Sequence, residues 1–135
     1  MAAIVVDTSA LVAIINGESE AAEFLGILIS AERICMSVGT VHEMNCVMQR
    51  YRQEDGAALL EGLLAQLKPE LISFDVAQLE IARAAYALYG RGTKHPAGLN
   101  MADCYPYALA KALDLPLLFK GNDFIHTDIT PAISG

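Results

Sequence analysis

Asp7, Glu43, Asp103 and Asp123 are the residues whose type and place could do chemistry. Asp7 closes a short apolar run, Ala3 to Val6, and Asp123 lies just past another in LPLLFKGND. In open parallel sheets, ligands bind beyond the carboxyl ends of the strands, where both acids would sit. Glu43 falls on a helical stretch, rotated about 40° from Val47 at 100° per residue, so it borders the apolar stripe. Asp103 is in the first turn of a helix that opens near Asn100. Carboxylates held within a few ångströms repel one another and raise each other's pKa. A divalent cation reverses that cost, and hard oxygen donors suit Mg²⁺ or Mn²⁺. Such an ion can clamp a phosphodiester, activate a water and stabilise the leaving oxygen.

Each acid also has an ordinary reading. Asp7 can cap the following helix, and Glu43 can be a solvated helix acid. An early-turn acid such as Asp103 is favoured by the helix dipole whatever its function. Asp123 sits in Gly-Asn-Asp, a turn sequence. Convergence of the four depends on the fold.

Nine Lys and Arg against sixteen Asp and Glu leave a net charge of −7. The basic footprint of a nucleic-acid binder is missing. If the substrate is a polyanion, something else must supply positive charge, and a bound cation would. Hydrophobic residues make up 54% of the chain, which excludes disorder. The chain of 135 residues is of a length for one domain, spanning 1–135. Asp7, Glu18, Glu20 and Glu23 interrupt every candidate span in the N-terminal third, and MAAIVVDTSALVAII has no Lys or Arg before its apolar run. It reads as neither a membrane span nor a secretory signal. Cys35, Cys46 and Cys104 are odd in number and lack close metal-ligand spacing, which argues against a disulfide framework or a zinc knuckle. A reducing cytoplasm is the expected compartment.

The elements that must position the acids follow from periodicity. Ala3–Val6, Ile34–Val38, Leu71–Phe74 and Leu115–Phe119 read as strands, and a fifth is expected near Asp128. Helices are expected after Asp7 with Thr8 or Ser9 as cap and Gly17 as close, and over Ser19–Ala31. Gly39 and Thr40 punctuate the chain before a helix over Val41–Arg52. A Leu59–Leu67 stripe stops at Pro69, and Asp75 caps a helix running to about Tyr89. The last helix opens near Asn100, where Pro106 fits only in the first turn or at a bend. Strands alternating with amphipathic helices imply a mostly parallel α/β sheet of four to five strands, covered on both faces. GRGTKHPAG is the clearest loop. Its Arg91, Lys94 and His95 could grip phosphates, or form a solvated surface. Lys120 could touch a phosphate or pair with a nearby acid.

The order VVDTSALVAII, then VHEMNCVM, then LNMADCYPYALAKALDLPLLFKGNDFIHTDI resembles the PIN-domain family, specifically the VapC toxins of bacterial toxin–antitoxin pairs. The similarity covers essentially the whole chain and is most specific in the C-terminal third. It implies a doubly wound sheet and a Mg²⁺-dependent endoribonuclease that hydrolyses RNA through metal-activated water, leaving a 5′-phosphate. The family's acids carry over onto Asp7, Glu43, Asp103 and Asp123, with Asp128 of the terminal TD segment as a further candidate. Thr8 and Ser9 resemble the family's polar pair beside the first acid, as donors to the ligating carboxylates. A VapB-type antitoxin and a second copy of the chain are the implied protein partners. Gly98 and Pro106 depart from the family, which often has Arg and Ala there.

Two other readings compete. A phospho-signalling receiver would use Asp75 and Lys120, but it wants a pair of acids after the first strand and leaves Glu43 and Asp103 idle. A PIN-like module that only binds would keep the fold without catalysis.

Overall fold

A computed structural model describes residues 3–133. Strand β1 (Ala3–Val6) lies inside a four-stranded sheet ordered β3-β2-β1-β4. Its neighbours are β2 (Arg33–Ser37) on one side and β4 (Leu117–Leu118) on the other, and β3 (Glu70–Ile72) completes one edge. All three pairings are parallel, with Ile4 opposite Ile34, Val6 opposite Leu118 and Met36 opposite Leu71. Ile4, Val5 and Val6 are fully buried. A continuous apolar run with no alternation marks a strand covered on both faces.

Helices α1 (Thr8–Ile15), α2 (Ala21–Ser30), α3 (Val38–Tyr51) and α4 (Gly56–Leu67) supply one layer. There Leu11, Phe24, Leu28, Met44, Met48 and Leu60 pack on Ile4, Val6, Ile34 and Met36. Helices α5 (Val76–Tyr89) and α6 (Cys104–Leu113) supply the other layer, with Ala85, Tyr107, Leu109 and Phe124 against Val5, Cys35 and Leu117. The chain winds from β1 outward to β3, then returns to place β4 on the far side of β1. The direction of winding therefore reverses between β1 and β4, and a crevice opens at their carboxyl ends.

Several boundaries differ from expectation. Asp7, not Thr8 or Ser9, caps α1, because its carboxylate accepts the Ser9 N–H and leaves Thr8 helical. Gly17 does close α1, at φ +63°. Helix α3 begins at Val38, capped by Ser37, so Gly39 and Thr40 are inside its first turn. Gly39 is there for contact: a Cβ would lie 2.5 Å from the Tyr105 ring of α6. Helix α6 starts at Cys104, which puts Pro106 in its first turn, where a missing N–H costs little. β4 shrinks to two residues, flanked by Pro116. The fifth strand reduces to a single bridge between Leu117 and Pro131, closed by the Leu117 N–H on the Thr130 carbonyl and the Ala132 N–H on the Leu117 carbonyl. No helix among the described residues is long and apolar enough to cross a membrane.

Candidate active site

The crevice is built from four short segments. β1 delivers Asp7 at its end, anchored by its N–H to the Leu118 carbonyl of β4 (2.9 Å). Its carboxylate is buried and accepts both the Ser9 N–H (3.1 Å) and the Ser9 hydroxyl (2.5 Å) on Oδ2. The Ser9 oxygen in turn accepts the Lys120 N–H (2.9 Å), tying the loop after β4 to the first acid. Thr8, also buried, donates its hydroxyl to Glu43 Oε1 (2.6 Å), which fixes α3 against α1. Thr8 and Ser9 thus each hold one carboxylate.

Asp103 is fixed differently. Its Oδ2 accepts the Asn100 N–H (2.9 Å), while its own N–H donates to Asn100 Oδ1 (2.8 Å). This reciprocal pair makes residues 100–103 a turn and moves Asp103 from the first helical turn to the residue before α6. Asp123 is exposed at the end of the loop that follows β4. That loop turns through Gly121 at φ +105°, and buried Phe124 anchors it against Phe119.

The electrostatics show which acids face one another. Burial raises the Asp7 carboxyl to about 6; the Ser9 hydrogen bonds oppose that shift and the charge of Glu43 adds to it. Burial likewise raises Asp103 to about 7. The Asn100 hydrogen bond opposes, and the charges of Asp7, Asp123 and Glu43 all push upward. Three acids, at residues 7, 43 and 123, therefore act on a single carboxyl. Among the described residues none of the four belongs to an ion pair.

Buried carboxylates with raised pKa values and no protein cation fit a hard divalent ion in donor chemistry. Among the described residues no three His, Cys, Asp or Glu side chains are already gathered as a closed metal shell. Asp7 and Glu43 are drawn instead onto the hydroxyls of Ser9 and Thr8.

The remaining candidates lie apart from this set. Asp128 accepts the Tyr107 hydroxyl (2.5 Å) and pairs with Lys111 (2.9 Å), and it is not among the charges acting on Asp103. The Lys120 ammonium contacts Glu18 and lies 3.3 Å from Glu20. Arg91 and Lys94 are exposed on the loop before α6. His95 stacks edge-on against Tyr89 and accepts the Ala97 N–H at Nδ1 (3.1 Å), so its ring is engaged by the loop itself. The receiver reading loses its acceptor, because Asp75 caps α5 by accepting the Gln78 N–H. In the sequence Asn100 reads only as a helix start, and nothing there marks Glu18 and Glu20 as partners of Lys120 or Tyr107 as the partner of Asp128. The Asn-x-x-Asp spacing was the one available signal for the Asn100 contact.

A PIN domain is matched over residues 4–129, nearly the whole chain. The chain belongs to the PIN-domain family. Within it, the chain groups with the VapC ribonucleases: it is 43% identical over 128 residues to Ribonuclease VapC42 of Mycobacterium tuberculosis, covering 95% of this chain and 98% of that one. Among solved structures, VapC20 of M. tuberculosis, a sarcin–ricin loop cleaving toxin, superposes with a TM-score of 0.72 at 14% identity, covering 94% and 96% of the two chains. VapBC2 of Rickettsia felis, bound to a DNA fragment from its promoter, gives 0.72 at 15% identity over 96% of each chain. At such identities these two likenesses describe the fold.

Proposed function

We propose that this chain is a single-domain, Mg²⁺-dependent endoribonuclease, with Mn²⁺ able to substitute, and the toxin of a VapBC-type toxin–antitoxin pair. The observation that carries the reading is Asp103, raised to about 7 by burial and by the charges of Asp7, Asp123 and Glu43. An acid so placed, with no protein cation, is the counterpart of an external one. RNA as the substrate rests on the VapC ribonucleases to which the chain is 40–43% identical.

Asp7, Glu43, Asp103 and Asp123 would hold the ion. When bound, Mg²⁺ would polarise the scissile phosphate, activate the attacking water and stabilise the leaving oxygen. The protein's own share is orientation. Ser9 and Thr8 fix the carboxylates of Asp7 and Glu43, and Asn100 fixes Asp103, so none of the three must be ordered when substrate arrives. Arg91 and Lys94 offer exposed cations for the phosphates flanking the cleavage point, with His95 and Lys120 as further contacts. A VapB-type antitoxin and a second copy of the chain complete the set of partners, in the cytoplasm.

The test is inducible expression in bacteria of the wild type, Asp7→Ala and Asp103→Ala, with growth followed and RNA sequenced at its 5′ ends. Growth arrest with discrete new 5′-phosphate ends, lost in both variants, is the expected result. A folded wild type that causes neither, and whose purified form cleaves no RNA with Mg²⁺, returns the chain to the class of non-catalytic binding modules.

A further inference from the structure

Lys120 is fastened to the cleft by its main chain and turned away from it by its side chain. Its N–H donates to the Ser9 hydroxyl oxygen, and that hydroxyl holds Asp7. Its ammonium goes to Glu18 and Glu20, at the approach to α2. One cation between two carboxylates leaves that group with a charge of −1. These pairs are about one-third exposed, so they are weak in water, and a phosphate offers the ammonium a comparable partner. Among the described residues no other Lys or Arg has its backbone bonded to a side chain that holds a cleft acid.

We propose that Glu18 and Glu20 compete with substrate for Lys120: they hold its ammonium in the free protein, and a phosphate of single-stranded RNA takes it over on binding. This rests on the nuclease reading. The exchange sets affinity, because RNA must displace two carboxylates before it gains the contact. It also explains how a strongly acidic chain limits indiscriminate binding of polyanions while keeping one cation beside its acids.

The experiment measures binding of a labelled, mixed-sequence single-stranded RNA to the full chain with Asp103→Asn, so that cleavage does not intervene, over a range of salt. Adding Glu18→Gln and Glu20→Gln is expected to tighten binding roughly threefold to tenfold at low salt. The dependence of log K on log salt should change by less than about 0.7, the share of one phosphate contact, because Lys120 reaches a phosphate in both proteins. Adding Lys120→Gln should erase the gain and flatten the slope by about 0.7. A gain that survives Lys120→Gln means that lost negative charge acts at long range, and overturns the proposal. Weaker binding in the double glutamate variant, with a lower melting temperature, marks the contact as a structural strap and overturns it too. If the double variant does not fold, Glu20→Gln alone should give a smaller gain with the same dependence on Lys120, and no gain there is equally decisive. Absence of RNA binding by the Asp103→Asn parent, together with no binding and no cleavage of that RNA by the wild type in Mg²⁺, removes the nuclease reading itself, before any glutamate is changed.

Discussion

Asp103 and Asp128 flank the same helix, α6, and have opposite surroundings. Both carboxyls lose solvent, which pushes each upward. At Asp128 the Tyr107 hydroxyl and the Lys111 ammonium outweigh that push and hold the carboxyl below the ordinary range. At Asp103 the neighbours are three more acids, and the carboxyl rises to about 7. The protein neutralises one acid internally and gives the other no cation of its own. Compensation by the chain's own cations therefore separates an acid that fastens the fold from one the chain leaves uncompensated.

The largest test of that contrast is a pair of substitutions. Asp103→Asn should lower Mg²⁺-dependent RNA cleavage by at least about a hundredfold, beyond the ~10–100-fold that loss of an outer contact to a metal ligand costs. Asp128→Asn should leave cleavage within about twofold of the wild type, since Asp128 sits outside the acidic set. Equal losses in a side-by-side cleavage assay would end the distinction between the two acids. Next comes Ser9→Ala, which removes the hydroxyl shared by Asp7 and the Lys120 N–H. Cleavage should fall ~10–100-fold with weaker Mg²⁺ affinity, read by titrating the ion in the same assay.

A third test uses stability. Burial raises the folded Asp7 and Asp103 carboxyls to about 6 and about 7, well above the ordinary aspartate value of 3.8. Between roughly pH 4 and pH 7 the folded chain holds protons that the unfolded chain has released. With chelator present, the melting temperature should fall as pH rises through that window and level off above it. Saturating Mg²⁺ should flatten the slope, and Asp103→Asn should remove most of it. Asp128 works in the other direction: its contribution is present at neutral pH and lost only in acid, below the ordinary carboxylate pKa. A melting temperature that rises from pH 5 to pH 8 in chelator would contradict the uncompensated state of the cleft. The smallest effect belongs to Tyr107→Phe, which deletes the donor to Asp128. It should cost about 1 kcal/mol in a denaturant titration and leave cleavage unchanged.

The legible parts of the sequence were those set by local rules. An apolar run that stops at an acid gave β1 and Asp7, and an Asp before a periodic stretch gave the cap of α5. Both depend on residues within four positions of each other. Where tertiary contact overrode local chemistry, the reading moved. Gly39 resembles a turn residue, but it is inside α3 because the Tyr105 ring occupies the space of its missing side chain. The Leu115–Phe119 run has strand composition, yet Pro116 and the lack of a full fifth strand leave two paired residues. Glu43 could not be separated from a solvated helix acid, since its partner Thr8 is 35 residues away. The meeting of Lys120 with Glu18 spans 102 residues, and no spacing rule reaches that far.

The position of β4 also bears on when the site can exist. β1 is made well before its partner on the crevice side, with Val5 paired to Leu117. A polypeptide still on the ribosome therefore carries Asp7 and Glu43 without the strand that closes the crevice or the loop that bears Asp123. Domains form as units during synthesis at about 5–20 residues per second, so most of the translation time passes before this one can close. An RNA-cutting chain of this topology stays inert beside the ribosome that makes it until β4 and the loop bearing Asp123 emerge.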